Sequence, residues 1–209
     1  MSDTVMDKKL LRKFLKTNEP TGDVPSAPAI AHFSIFLDST PEGCEKMMEA
    51  MDSAVYELQP ERKELVMLER GQILESKNAD DILQFMRKHT DPMNQHILIG
   101  KACEFENELL PTIVKMLKTS LNDGFIETSI RVLAKCEKNV ADELMECFDE
   151  IRNPYAKSMV LVMLGFRAPK TAVPWVLEQY YALKKTYADA NFYDGAYHSL
   201  LELNSRFFS

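Results

Sequence analysis

The sequence predicts an all-α chain built from a recurring pair of helices, on three observations. Apolar anchors repeat: Ile82 and Met86 return as Ile113 and Leu117, then as Leu144 and Phe148, then as Val176 and Tyr180, a period of 31 or 32 residues. Pro111 and Pro174 each stand two residues before an anchor, two repeats apart. Glycine is scarce, 7 in 209 residues, and no window alternates apolar and polar residues as a half-buried strand would. With 45% hydrophobic and 27% charged residues the chain has the composition of a globular protein with a buried core.

Residues 4–17 give a first helix, with Leu10, Leu11, Phe14 and Leu15 on one face and Lys8, Lys9, Arg12, Lys13 and Lys16 around the other. Those five bases against Asp3 and Asp7 make a head of +3 in a chain of net charge −7, so the body is acidic. Pro20, Gly22, Pro25 and Pro28 then favour an extended linker over 19–28. The domain plan is therefore a basic helix and linker, 1–28, ahead of a single helical repeat domain, 29–209. The preferred role for the head is to dock on an end of the body; the other is to serve a membrane or a partner.

A short apolar helix over 29–37 comes next. Ser39-Thr40-Pro41-Glu42 is a capping box, with the proline in the first turn where no donor is needed, and starts a helix that runs to about Leu58. Its Met47, Met48 and Met51 read as core filler, the other reading being a peptide groove. Pro60 opens a helix to Glu75 with Leu65, Leu68 and either Gly71 or Gln72 in register, followed by one over 79–89. The pairs 92–103 with 107–119, 124–136 with 139–151 and 154–166 with 169–187 follow. A last helix, 191–207, closes the array through Tyr193, Tyr197, Leu200, Leu201 and Leu203. Asp91-Pro92, Asp123-Gly124 and Asn153-Pro154 mark successive helix starts, each an Asx cap before a residue suited to the first turn.

The segments Leu110-Pro111-Thr112-Ile113-Val114-Lys115-Met116-Leu117 and Val173-Pro174-Trp175-Val176-Leu177-Glu178-Gln179-Tyr180 resemble the second-helix pattern of HEAT-like repeats. The resemblance spans roughly residues 61–207; Asp142 stands where the prolines do in the intervening copy, and the N-terminal third does not register. It implies a right-handed α-solenoid, an α-α superhelix of stacked antiparallel helix pairs, and it implies architecture, not activity.

Catalytic and metal signatures are sparse. No Gly-rich phosphate loop, Gly-x-Ser-x-Gly turn or HExxH occurs. His89 and His96 flank a turn with Asp91 but lie on consecutive helices and not at i, i+4 of one, so no metal or other cofactor is assigned. Cys44, Cys103, Cys136 and Cys147 form no CxxC pair and read as reduced thiols of a cytoplasmic protein, with Cys103 and Cys136 at similar points of successive repeats. The acids Glu137, Asp142, Glu143, Glu146, Asp149 and Glu150 read as a solvated helix face. No apolar stretch is long enough to span a bilayer, and the N-terminus has no continuous apolar leader core.

A polar code accompanies the apolar one. Two residues after each anchor stand Gln84, Lys115, Glu146 and Glu178; five after stand Arg87, Lys118, Asp149 and Tyr181. If second helices line the concave side, as the resemblance implies, these form a ladder from basic to acidic that suits a charged peptide or protein. The +3 head has the charge to dock on its acidic end. The functional expectation is a non-enzymatic interaction module or scaffold, open to homo-oligomers. The alternative is a base-excision enzyme of the HEAT-like alkylpurine glycosylase type, for which Trp175, Tyr180 and Tyr181 would be the aromatics. Glu146, Asp149 and Glu178 would repel phosphates, and the acidic balance disfavours nucleic acid.

Overall fold

The computed structural model of the chain describes residues 8–18 and 41–208. Among the described residues the fold is all-α, with eleven α-helices and no strand. In order they are α1 (Lys8–Thr17), α2 (Pro41–Tyr56), α3 (Pro60–Glu75), α4 (Ala79–Arg87), α5 (Gln95–Glu104) and α6 (Glu106–Leu117). Then come α7 (Asp123–Lys135), α8 (Ala141–Glu146), α9 (Pro154–Arg167), α10 (Val173–Thr186) and α11 (Asp194–Phe208). Short 3-10 turns occur at Pro92–Asn94, Phe148–Glu150 and Lys170–Ala172. The expected start at residue 4, the linker over 19–28, the helix over 29–37 and the Ser39 cap lie outside the described residues.

The described residues divide into two compact units. One, ending at Lys138, holds α2 to α7; the other joins α1 to the chain from Asn139 on. In the first unit α3 packs on α5 and α5 on α7, while α4 packs on α5, α6 and α7. In the other unit α11 is the hub, touched by α1, α9 and α10, and α8 rests on α9.

All eight repeat anchors are buried: Ile82, Ile113, Leu117, Leu144 and Val176 at 0% exposure, Met86, Phe148 and Tyr180 at 1%. Each contributes about 1.5–3 kcal/mol by leaving water. Helix α3 departs from its expected register: Val66 and Ile73 face the core, and Leu65 and Leu68 are exposed. The polar neighbours of Val66 explain the choice. Asn94, fully buried, donates through Nδ2 to the Val66 carbonyl (2.9 Å) and to Glu69 (2.8 Å), and accepts from Arg70 Nε (3.1 Å). Arg70 in turn pairs with Asp52 at 2.9 Å. A network this complete fixes which face of α3 turns inward.

Helix starts follow side-chain caps. Asn78 accepts from Asp81 N and Asn153 from Tyr155 N, each at 2.9 Å, and Asp91 accepts from Met93 N at 3.0 Å. At α7 the cap is Asn122, one residue before the expected Asp123: its Oδ1 accepts from Phe125 N at 2.9 Å while its Nδ2 donates to the Arg87 carbonyl at 3.1 Å. Asp123 is instead the first helical residue, where its charge meets the helix dipole. Asn122→Ala is expected to cost about 1 kcal/mol in chemical denaturation and Asp123→Ala about half that or less. Equal losses would return the cap to Asp123.

Two other boundaries shift. The expected helix over 139–151 is only Ala141–Glu146 followed by a 3-10 turn; its start is set at Ala141 because Asn139 spends Oδ1 on Ala141 N and Nδ2 on the Arg167 carbonyl, each at 3.0 Å. The last helix starts at Asp194, not 191, since Asp194 N still closes a turn onto the Asn191 carbonyl at 3.0 Å. Its Leu201, counted among the apolar contacts, is 45% exposed.

Helix α1 docks by its apolar face, through apolar and aromatic contacts supplemented by hydrogen bonds. Leu11 and Leu15 are buried, and Phe14 meets Tyr180 and Tyr181 edge-on at 4.9 and 5.9 Å. Tyr197 donates to the Leu15 carbonyl at 3.1 Å, and Arg12 to that of Phe208 at 3.4 Å. Lys8, Lys9, Arg12, Lys13 and Lys16 are exposed around the outside.

Candidate functional site

The eight residues of the polar ladder fall on the surface, four in each unit. In the first unit Gln84 and Arg87 lie on α4, Lys115 on α6 and Lys118 at the C-terminal cap of α6. Gln84, Arg87 and Lys115 are exposed and Lys118 is half-buried. Because α4 packs on α6, all four belong to one pair of neighbouring second helices. In the other unit Glu146 ends α8, Asp149 sits in the 3-10 turn after it, and Glu178 and Tyr181 lie on α10; all four are exposed.

Apolar relief flanks the basic half. Arg87 walls a hollow of about 580 Å³ with Met116, Leu121 and Phe125, and Leu121 is 82% exposed. A second hollow, about 410 Å³, lies between α3 and α4 and has Leu65, Leu68 and Phe85 in its walls. Its rim carries Arg62, Glu69, Lys88, His89 and Asp91. The two acids are already engaged: Asp91 pairs with Arg62 at 3.4 Å, and Glu69 accepts from the Asp91 backbone N–H at 3.0 Å. Lys88 reaches over the Phe85 ring at 5.7 Å. This end of the unit therefore combines exposed cations with exposed aliphatic side chains.

The acidic half borders an aromatic cluster. Tyr181 stacks edge-on against Tyr180 at 5.4 Å, and Tyr180 meets Tyr193 at the same distance. Lys184 donates to the Tyr180 hydroxyl at 3.1 Å and lies over the rings of Tyr180 and Tyr193. The hydrogen bond that Lys184 donates to Tyr180 holds the Lys184 pKa above its ordinary value. Asp194, 2% exposed, sits nearby with its carboxyl pushed up to about 6 by burial, against an opposing pull from Lys184. Trp175 lies edge-on to Phe148 at 5.1 Å and is half-buried, so of the three aromatics expected on a base-reading surface only Tyr181 is exposed.

The remaining candidates separate. His96 is buried, with its pKa lowered first by burial and raised in part by Asp52, whose carboxylate is 4.0 Å away; His89 is exposed. Among the described residues no group of three or more His, Cys, Asp or Glu is placed to hold a metal ion. The six acids between Glu137 and Glu150 are all exposed. No described helix is long and apolar enough to cross a membrane.

Three features escaped the reading of the sequence: the exposed pair Leu65 and Leu68, the buried Asp194 and the contact of Cys103 with Cys136. Only the last had a signal, the like placement of the two cysteines in successive repeats. Set against protein-family models, curated proteins and solved structures, the chain matches none.

Proposed function

We propose that the protein is a non-enzymatic scaffold, an α-solenoid of HEAT-like helix pairs that binds a peptide or protein partner along its second helices in the cytoplasm. The observation that carries this reading is the split between the two codes. Every anchor is buried, whereas seven of the eight residues offset from them by two or five are exposed. Positions that hold the helices together are thereby separated from positions free to differ between repeats, which is how a stacked array varies its ligand without altering its core. In a stack of this kind the second helices line the concave side. The basic half, with its aliphatic hollows, suits acidic amphipathic segments, and the acidic half suits basic ones.

The test compares capture of partners from the native cell extract by the intact chain and by two charge-reversed variants, Arg87→Glu/Lys115→Glu and Glu146→Lys/Glu178→Lys. Lys77→Glu, exposed and outside the ladder, is the control. At least one partner should fall roughly tenfold in one ladder variant and persist with the control. Identical partner lists for all four proteins, with helical content unchanged, would remove the ladder as a binding surface.

A further inference from the structure

We propose that Cys103 and Cys136 are a modification site: a dithiol that closes to a reversible disulfide and ties the end of α5 to the end of α7. The two sulfurs are 3.0 Å apart. A disulfide bond is about 2.05 Å long, so closure requires a movement of roughly 1 Å. Both residues occupy helix ends, where such a movement disturbs few hydrogen bonds. Cys103 is in the last turn of α5, and Cys136 follows α7 as its cap, in an extended conformation (φ −59°, ψ 153°).

The seam is already fixed beside the thiols. The backbone N–H of Lys138 donates to Glu106 at 3.2 Å, so the segments carrying the two cysteines are held together independently of sulfur. Exposure then assigns the order of events. Cys136 is fully buried, whereas Cys103 is half-buried and reachable by a small oxidant.

The chemistry balances with a low-molecular-weight disulfide, RSSR, as oxidant. The Cys103 thiolate attacks one sulfur of RSSR, forming a mixed disulfide and expelling the first thiolate, which takes up the proton lost by Cys103. Cys136 then attacks the Cys103 sulfur, breaks the mixed disulfide and expels the second thiolate, which takes up the proton lost by Cys136. Two electrons pass from the protein thiols to RSSR, giving one protein disulfide and two RSH. The reverse exchange with excess RSH reopens the bridge. The other described thiol, Cys147, is buried in the other unit and hydrogen-bonded to the Leu144 carbonyl at 3.9 Å.

The experiment uses the full chain, reduced and then equilibrated with oxidised glutathione. Intact mass should show the loss of two hydrogen atoms, and tryptic mapping should join the peptides that contain Cys103 and Cys136. Closing a loop of this length should raise the melting temperature by roughly 5–10 °C, reversibly on reduction. Cys136→Ala should stop at the mixed disulfide, with glutathione retained on Cys103. Three results would overturn the assignment: glutathione persisting on Cys103 of the unaltered chain, a bridge that uses Cys44 or Cys147, or full reduction of the unaltered chain under conditions that load glutathione onto Cys136→Ala.

Discussion

Gly195→Ala is expected to lower the stability of the unit built on α11 by about 3 kcal/mol or more, a fall of roughly 6–12 °C in the melting temperature. A Cβ on Gly195 would stand 2.6 Å from the carbonyl carbon of Ser158 and closer still to its oxygen. The obstacle is backbone within α9, not the end of a flexible side chain, so relief would require α9 and α11 to separate. Gly195 N also donates to Ser158 Oγ at 3.2 Å, a bond lost in the same movement. Further along the seam a Cβ on Gly165 would lie 2.9 Å from Ser199 Cα, and Arg206 donates to the Gly165 carbonyl. The cost is large because nine of the fourteen residues of α9 are buried, leaving no open face toward which it could shift. Gly71 and Gly100 serve as controls. Neither has an atom within 4 Å of a built Cβ, and both lie inside helices, so alanine there should add about 0.5–1 kcal/mol. Thermal unfolding of the three variants decides the matter: an unchanged midpoint for Gly195→Ala would mean that the seam is not closely packed.

Those glycines show what the sequence could and could not disclose. Ile82, Ile113, Leu144 and Val176 were legible because burial against a neighbouring repeat leaves a periodic mark along one chain. The Asx caps at Asp91 and Asn153 were legible because they act within two residues of themselves. Gly195 carries no such mark; its meaning depends on Ser158, thirty-seven positions away. Leu65 and Leu68 misled for a related reason, since the face of α3 that turns inward is chosen by Asn94 and Asp52, which belong to other segments. The division into two units left no mark either: the apolar period runs through Lys138 and Asn139 without a break. Of the candidate site, seven of the eight residues at offsets of two and five from the anchors are exposed, Lys118 being half-buried, because a residue two positions from a buried one on a helix is turned away from it. The hollows beside Arg87 and Leu65 arise from loop and cap geometry, which a helical period does not encode.

Asp194→Asn should stabilise the protein at alkaline pH and lose that advantage as the solution is acidified. The Asp194 carboxyl is 2% exposed, and its Oδ2 has no hydrogen-bond partner among the described residues. Burial raises its pKa from 3.8 to about 6 in the folded chain, although Lys184 on α10 pulls the other way. A carboxyl whose folded pKa is raised contributes stability that is fully present below the unfolded pKa and is lost as pH rises through the folded one. The window is therefore about pH 4 to 6, and above it the folded state carries an ionised group that burial disfavours. His96 and His198 change the unaltered protein in the opposite sense, because burial lowers their pKa values and acid therefore destabilises the fold. The difference between the two proteins cancels those contributions, as it does the constant cost of burying the asparagine amide. Urea denaturation of both should show the advantage of Asp194→Asn shrinking by about 1.5 kcal/mol between pH 8 and pH 5, and by about 2.5 kcal/mol by pH 4. Parallel stability curves would mean that Asp194 titrates as an ordinary carboxyl. In that case the packing of α11 on α10 does not close over it, and Lys184 would be left with the tyrosine rings and the Tyr180 hydroxyl as its only strong partners in that seam.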